Sequence, residues 1–121
     1  MIKICSFFSL PIVEQRIGKV YSLALSVPHN VGPVQGTVHC LCPTWDMVRD
    51  YKARQISEDE YTAKYHDLMV KRWPAVRRWL DSLDPNQDMY LCCWERTGFC
   101  HRYLVAKLIR KFRPDLEVRV S

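Results

Sequence analysis

The side chains best suited to chemistry crowd into one short stretch, Cys93-Trp94-Glu95-Arg96-Thr97-Gly98-Phe99-Cys100-His101-Arg102. A carboxylate and an imidazole this close offer a general acid and a general base, so Glu95 and His101 are the candidates for moving a proton. Cys100 adds a possible nucleophile, because a thiol near a helix N-terminus and beside His101 and Arg102 has its thiolate favoured by dipole and charge. Arg102 and Arg96, with the backbone amides of Thr97 and Gly98, suit a phosphate or a carboxylate. These residue types describe a site for an anionic ligand and do not by themselves name a reaction.

A strand, a tight turn and a helix must position them. Met89 to Glu95 is an apolar run without helical spacing, whereas His101, Leu104, Val105, Leu108, Ile109 and Phe112 recur as one face of a helix. Arg96-Thr97-Gly98 turns the chain between them. Strand alternation puts Cys93 and Glu95 on one face and Cys92 and Trp94 on the other, so Glu95 leaves the strand beside its own loop, where open α/β sheets carry their sites. With Thr97 as N-cap, Cys100, His101 and Arg102 fall in the first turn, where free N–H groups favour anions. His29, in a loop after an earlier strand, is a further candidate ligand contact.

Plainer readings compete with each assignment. A buried cysteine is usually a small hydrophobe, and a histidine on an apolar helix face is often a hydrogen-bonded core residue. No P-loop or dinucleotide-type glycine pattern is present, and with five residues between, Cys93 is followed by Phe99 where a phosphatase loop carries arginine. No cofactor is called for. Zinc is the metal that a cluster of Cys40, Cys42, Cys93, Cys100 and His101, with His39 nearby, would suit, although Cys-X-Cys and Cys-His are not the usual knuckle spacings.

At 121 residues and 48% hydrophobic content, the chain is expected to form one domain over residues 1–121 with a substantial core. The net charge of +5 arises after Glu95: Arg96 to Ser121 holds seven Arg and Lys against Asp115 and Glu117, while residues 1–95 balance eleven against eleven. Arg102, Lys107, Arg110, Lys111 and Arg113 are expected on the solvent side of the last helix. Such a face suits nucleic acid or nucleotide phosphates, though basic residues also complement a helix C-terminus. Cys5, Cys92 and Cys93 lie in apolar strand-like runs, which points to a reduced, cytoplasmic protein rather than a disulfide scaffold. Met1 to Val13 lacks a cleavage pattern and is taken as the first strand, and no stretch approaches membrane-spanning length.

In chain order, Ile2 to Phe8 and Lys19 to Ser26 are strands, and Val27 to Gly36 is a turn-rich loop. Thr37 to Cys42 is either a short strand or the loop's return. Thr44 caps a helix through Trp45, Val48 and Lys52. Ser57-Glu58-Asp59-Glu60 is a capping box opening a helix with the stripe Tyr61, Tyr65, Leu68 and Met69. Pro74 kinks that helix or starts another, with the stripe Val76, Trp79, Leu80 and Leu83. Leu116 to Val120 is an edge-like last strand. The aromatic stripes are read as core. The order gives an α/β domain of two or three layers, with a largely parallel sheet and a helical insert between strands 2 and 3.

At CCWERTGFCHR the sequence resembles the intracellular domain-of-unknown-function family numbered 488, in which a strand ending Cys-aromatic-Glu precedes a helix opened by Cys-His-Arg. Here those are Cys93-Trp94-Glu95 and Cys100-His101-Arg102. VYSLALSVP, CPTWDMVRDYKARQISEDEYTAKY and the C-terminal helix also look like family segments in the same order. The resemblance implies a Rossmann-like fold and a shared site built on Glu95, Cys100, His101 and Arg102. Cys92 and the Cys40/Cys42 pair stand outside the family pattern, so the metal reading draws no support from it. The expectation that follows is a phosphate-bearing ligand, nucleotide or nucleic acid, at the Glu95 to Arg102 loop. The alternatives are a non-enzymatic basic adaptor or nucleic-acid-binding module using the last helix, and a structural zinc protein.

Overall fold

The computed structural model describes residues 1–121. Five strands, β1 (Ile2–Ser6), β2 (Lys19–Ser22), β3 (Gly36–Thr37), β4 (Met89–Cys93) and β5 (Val118–Val120), form one sheet in the order β3-β2-β4-β1-β5. Every pairing is parallel, with Ile4 opposite Leu91 and Cys5 opposite Cys92 at the centre. Four helices complete the chain: α1 (Trp45–Lys52), α2 (Glu58–Lys71), α3 (Trp73–Ser82) and α4 (Arg102–Phe112). The α/β class and parallel sheet are as expected. The short Gly36–Thr37 strand places the helical insert after a third strand rather than directly after the second.

The strand order explains where the helices lie. The crossover from β3 to β4 through α1, α2 and α3 and the crossover from β4 to β5 through α4 step the same way along the sheet. Connections of one hand then put all four helices on one face. Met47, Tyr61, Tyr65, Met69, Val76, Leu80, Val105 and Ile109 accordingly share one core with Ile2, Ile4 and Leu91. The β1–β2 connection steps back the other way and covers the opposite face, where Cys5, Phe7, Val20, Ala24, Tyr90 and Cys92 pack with Leu10, Val31 and Val34. The result is two regular layers plus a covering of irregular chain, which leaves both sheet faces dry as a parallel sheet requires. Leu91, Val105 and Ile109 have no solvent exposure, and burying each is worth about 1.5–3 kcal/mol.

Several local signals act as read. Thr44 accepts a hydrogen bond from Met47 N, and Ser57 and Glu60 form the full capping box. Pro74 sits in the first turn of a new helix, so α2 ends at Lys71 instead of kinking. The main departure is at α4. It begins at Arg102 with His101 as N-cap, not at Thr97, so Cys100 lies in the loop and only Arg102 of the three enters the first turn.

Candidate functional site

Because β4 ends at Cys93, residues 94–101 form a loop beyond the carboxyl end of the sheet. Its flanks are held. Trp94 Nε1 donates to Ser26 O at 2.8 Å, and the Arg96 guanidinium lies 4.5 Å over the Phe8 ring. Gly98, at φ 77°, takes the turn in the left-handed region that only glycine occupies readily. Phe99 then stacks on Tyr51, with centroids 5.4 Å apart at 17°, and meets Tyr61 edge-on. No backbone N–H from Arg96 to Cys100 donates to another backbone carbonyl, so this loop presents a run of free donors.

Between this loop, the end of β2 and helix α1 lies a cavity of about 560 Å³. Ala24 to Ser26 form one side, Trp94, Glu95 and Thr97 to His101 another, and Trp45, Val48, Tyr51 and Lys52 of α1 the third. Trp45 is 62% exposed and has no aromatic partner, and Trp94 is 38% exposed with Phe8 packed edge-on to it at 6.0 Å, so both indoles reach the cavity and keep part of their surface open. Lys52 is exposed and forms no ion pair, which leaves a free cation on the same rim. Of the anticipated residues, Glu95, Thr97, Gly98, Cys100 and His101 line this cavity. The α1 wall was not anticipated, yet a signal existed: Trp45, Val48 and Lys52 share one helix face, and a lysine in that stripe marks a wetted wall rather than a core.

Below the cavity the polar groups interlock. Cys93 Sγ and Cys100 Sγ are 2.9 Å apart, Cys100 Sγ donates to Glu95 Oε2 at 3.3 Å, and His101 Nδ1 is 3.7 Å from Cys100 Sγ. Arg102 Nη1 donates to Cys93 Sγ at 3.2 Å and to Glu95 O at 2.7 Å. The Cys100 hydrogen bond, and after it the Arg102 guanidinium, hold the Cys93 thiol below its ordinary range against the opposing effect of burial. The same hydrogen bond between the two sulfurs, reinforced by burial, pushes Cys100 up. The two sulfurs are thus driven in opposite directions, Cys93 toward the thiolate and Cys100 toward the thiol. This reverses the expectation that Cys100 carries the depressed value: the charged neighbour bonds the other sulfur.

Arg102 is likewise not the solvent-facing clamp the sequence suggested. It is 1% exposed, and besides its bonds to Cys93 and Glu95 it donates to Ser121 O at 2.9 Å and to the Tyr103 hydroxyl at 3.1 Å. It ties the ends of β4 and β5 together and has no donor facing the cavity. Arg96 and His29 are exposed and do not line the cavity. His101 is buried, with Nε2 2.9 Å from Leu23 O, joining the β2 end to the start of α4.

The metal cluster also differs from expectation. Cys93 Sγ, a Glu95 oxygen and Cys100 Sγ lie within 4.8 Å of one another, a group that could hold an ion, but Cys40 and Cys42 are not part of it. Their turn is fastened instead by Arg72 Nη1, which donates to Cys42 O at 2.7 Å. The basic face of α4 is smaller than its composition implied: Arg113 reaches Leu80 O and Leu83 O, Arg110 reaches Val118 O, and Lys107 and Lys111 are left. No helix is long and apolar enough to cross a membrane.

Comparison with known proteins adds the family. No curated protein and no solved structure matches the chain. The family model described as the active DUF488-N3 subclade matches residues 10–113, a span containing the cavity and the whole Cys93 to Arg102 stretch, and the chain belongs to the DUF488 family.

Proposed function

We propose that the cavity binds one nucleotide unit, free or exposed on a single strand, with its base against Trp45 and Trp94 and its phosphate toward Lys52 and the free amides of the loop. The observation that carries this reading is that two part-exposed indoles and a loop whose backbone N–H groups are unbonded line the same cavity. Stacking is worth about 1–3 kcal/mol per base and tolerates any base, while the amides and Lys52 answer the phosphate. A volume of about 560 Å³ is in the usual range for a small-molecule site. Glu95 stands where a carboxylate can accept from a base amino or ring N–H group. The family match is to a subclade described as active, which supports a chemical role for the site; Glu95 and Cys100 are the groups positioned to touch the ligand, with His101 fixing the loop behind them.

Titration calorimetry with nucleoside monophosphates tests this. Trp45→Ala, at a residue with no aromatic partner in the fold, should weaken binding about tenfold while leaving the unfolding midpoint unchanged. Wild-type affinity retained in both Trp45→Ala and Trp94→Ala would overturn it.

A second reading has its own observation. Helices α2 and α4 enclose a groove of about 570 Å³ lined by Tyr65, Met69, Val70, Trp73, Leu104 and Leu108, with Lys107 and Lys111 beside them. That surface suits a partner with acidic and apolar groups, the adaptor role.

A further inference from the structure

The six cysteines are all free, and two pairs of them touch. Cys5 and Cys92 face each other across β1 and β4 with sulfurs 3.8 Å apart, among Phe7, Val20 and Tyr90, and neither lines the cavity. Cys93 and Cys100 are 2.9 Å apart, with Arg102 on one sulfur and Glu95 on the other. Of the six, Cys100 alone lines the cavity. The second pair therefore has what the first lacks: a cation bonded to one sulfur, a carboxylate bonded to the other, and a route for a reagent.

We infer that Cys93 and Cys100 form a redox-active dithiol that takes low-molecular-weight disulfides as its oxidant. Glu95 accepts the Cys100 proton, and the Cys100 sulfur attacks one sulfur of the disulfide, forming a mixed disulfide and expelling the first thiolate. The Cys93 thiolate then attacks Cys100 Sγ, breaking the bond to the second thiolate and closing Cys93–Cys100. The two cysteines lose two electrons and the reagent gains them. One departing thiolate takes the proton parked on Glu95 and the other takes one from water. Arg102 keeps Cys93 ionised for the second step, and attack by a thiolate already in contact needs no diffusion. A shared zinc fits this pair less well. Two thiolates on one tetrahedral zinc stand about 3.7 Å apart, and Arg102 occupies the Cys93 sulfur. The dithiol stands independently of the ligand assigned to the cavity.

The test is to expose the reduced, full-length chain to oxidised glutathione with no nucleotide present, quench with acid, alkylate, and map the products by peptide mass. The expected product is a Cys93–Cys100 crosslink, formed at least about tenfold faster than any Cys5–Cys92 crosslink. Cys93→Ser should instead accumulate glutathione on Cys100, and Glu95→Gln should slow the first step. A Cys5–Cys92 crosslink appearing first, retention of both Cys93 and Cys100 thiols while Cys40 reacts, or one equivalent of zinc that protects both thiols until chelated, would each overturn the inference. The wild-type map decides the matter even if a variant fails to fold.

Discussion

Two concavities of nearly equal volume, the cavity at the carboxyl end of the sheet and the groove between α2 and α4, differ in what converges on them. The groove is an apolar trough bordered by Lys107 and Lys111, with no carboxylate or thiol in its wall. The cavity gathers a carboxylate, a thiol, an imidazole, a lysine and two part-exposed indoles from two separate segments of chain, helix α1 and the β4–α4 loop. Its back wall is braced by a buried arginine that touches strand ends, loop and the Cys93 sulfur at once. Size therefore separates the two poorly, and the convergence of fixed polar groups separates them well.

The largest expected effect probes that brace. Arg102→Ala removes a buried cation from the Cys93 sulfur and two carbonyls, and should lower unfolding stability by about 3–5 kcal/mol in a denaturant titration, whereas Lys107→Ala should change it by less than about 0.5 kcal/mol. A stable Arg102→Ala protein would return that arginine to the solvent-facing role and break the contrast. Next, Glu95→Gln should weaken nucleotide binding about tenfold, as expected for the loss of a charge-assisted hydrogen bond, while Lys107→Ala with Lys111→Ala leaves it within about twofold. The reverse pattern would move the ligand to the groove. A smaller effect is expected from salt. Binding of a short single strand through Lys52 alone should give a log–log slope near −0.7, and a slope near −2 would implicate the α4 lysines as well.

A pH effect bears on both regions, because Tyr61 lines the cavity and Tyr65 the groove. Burial pushes both phenols above their ordinary range and pushes the Cys42 thiol up to about 11. A group whose folded value is raised contributes stability that is intact below its ordinary value and lost as pH rises toward the folded one. Stability should accordingly hold up to about pH 9 and decline from there through about pH 11, read from thermal midpoints. A flat profile across that window would show these groups to be more open than their burial indicates.

Much of this arrangement was legible in the sequence where local rules decide it. The strand–turn–helix unit from Met89 to Phe112, the Thr44 cap and the Ser57 capping box all follow from spacing and side-chain chemistry over a few residues. The burial of Arg102 was also legible and was passed over: Arg102, Val105, Ala106 and Ile109 stand at i, i+3, i+4 and i+7, the buried face of α4, but charge suggested solvent. What the sequence could not reveal is long-range placement. That α1 turns Trp45 and Lys52 toward the β4 loop depends on the β3–β4 crossover, and that Cys100 rather than Cys92 meets Cys93 depends on where the loop folds back. The early start assigned to α4 failed because Gly98 at positive φ interrupts any helix begun at Thr97.

The most direct test of the central claim is photocrosslinking of a nucleotide carrying a photoreactive base, followed by mapping of the modified peptide. The account predicts adducts within residues 45–52 or 94–100, competed by unmodified nucleotide and lost in Trp45→Ala. Adducts confined to residues 62–73 or 104–112 would contradict it and make the groove the binding surface.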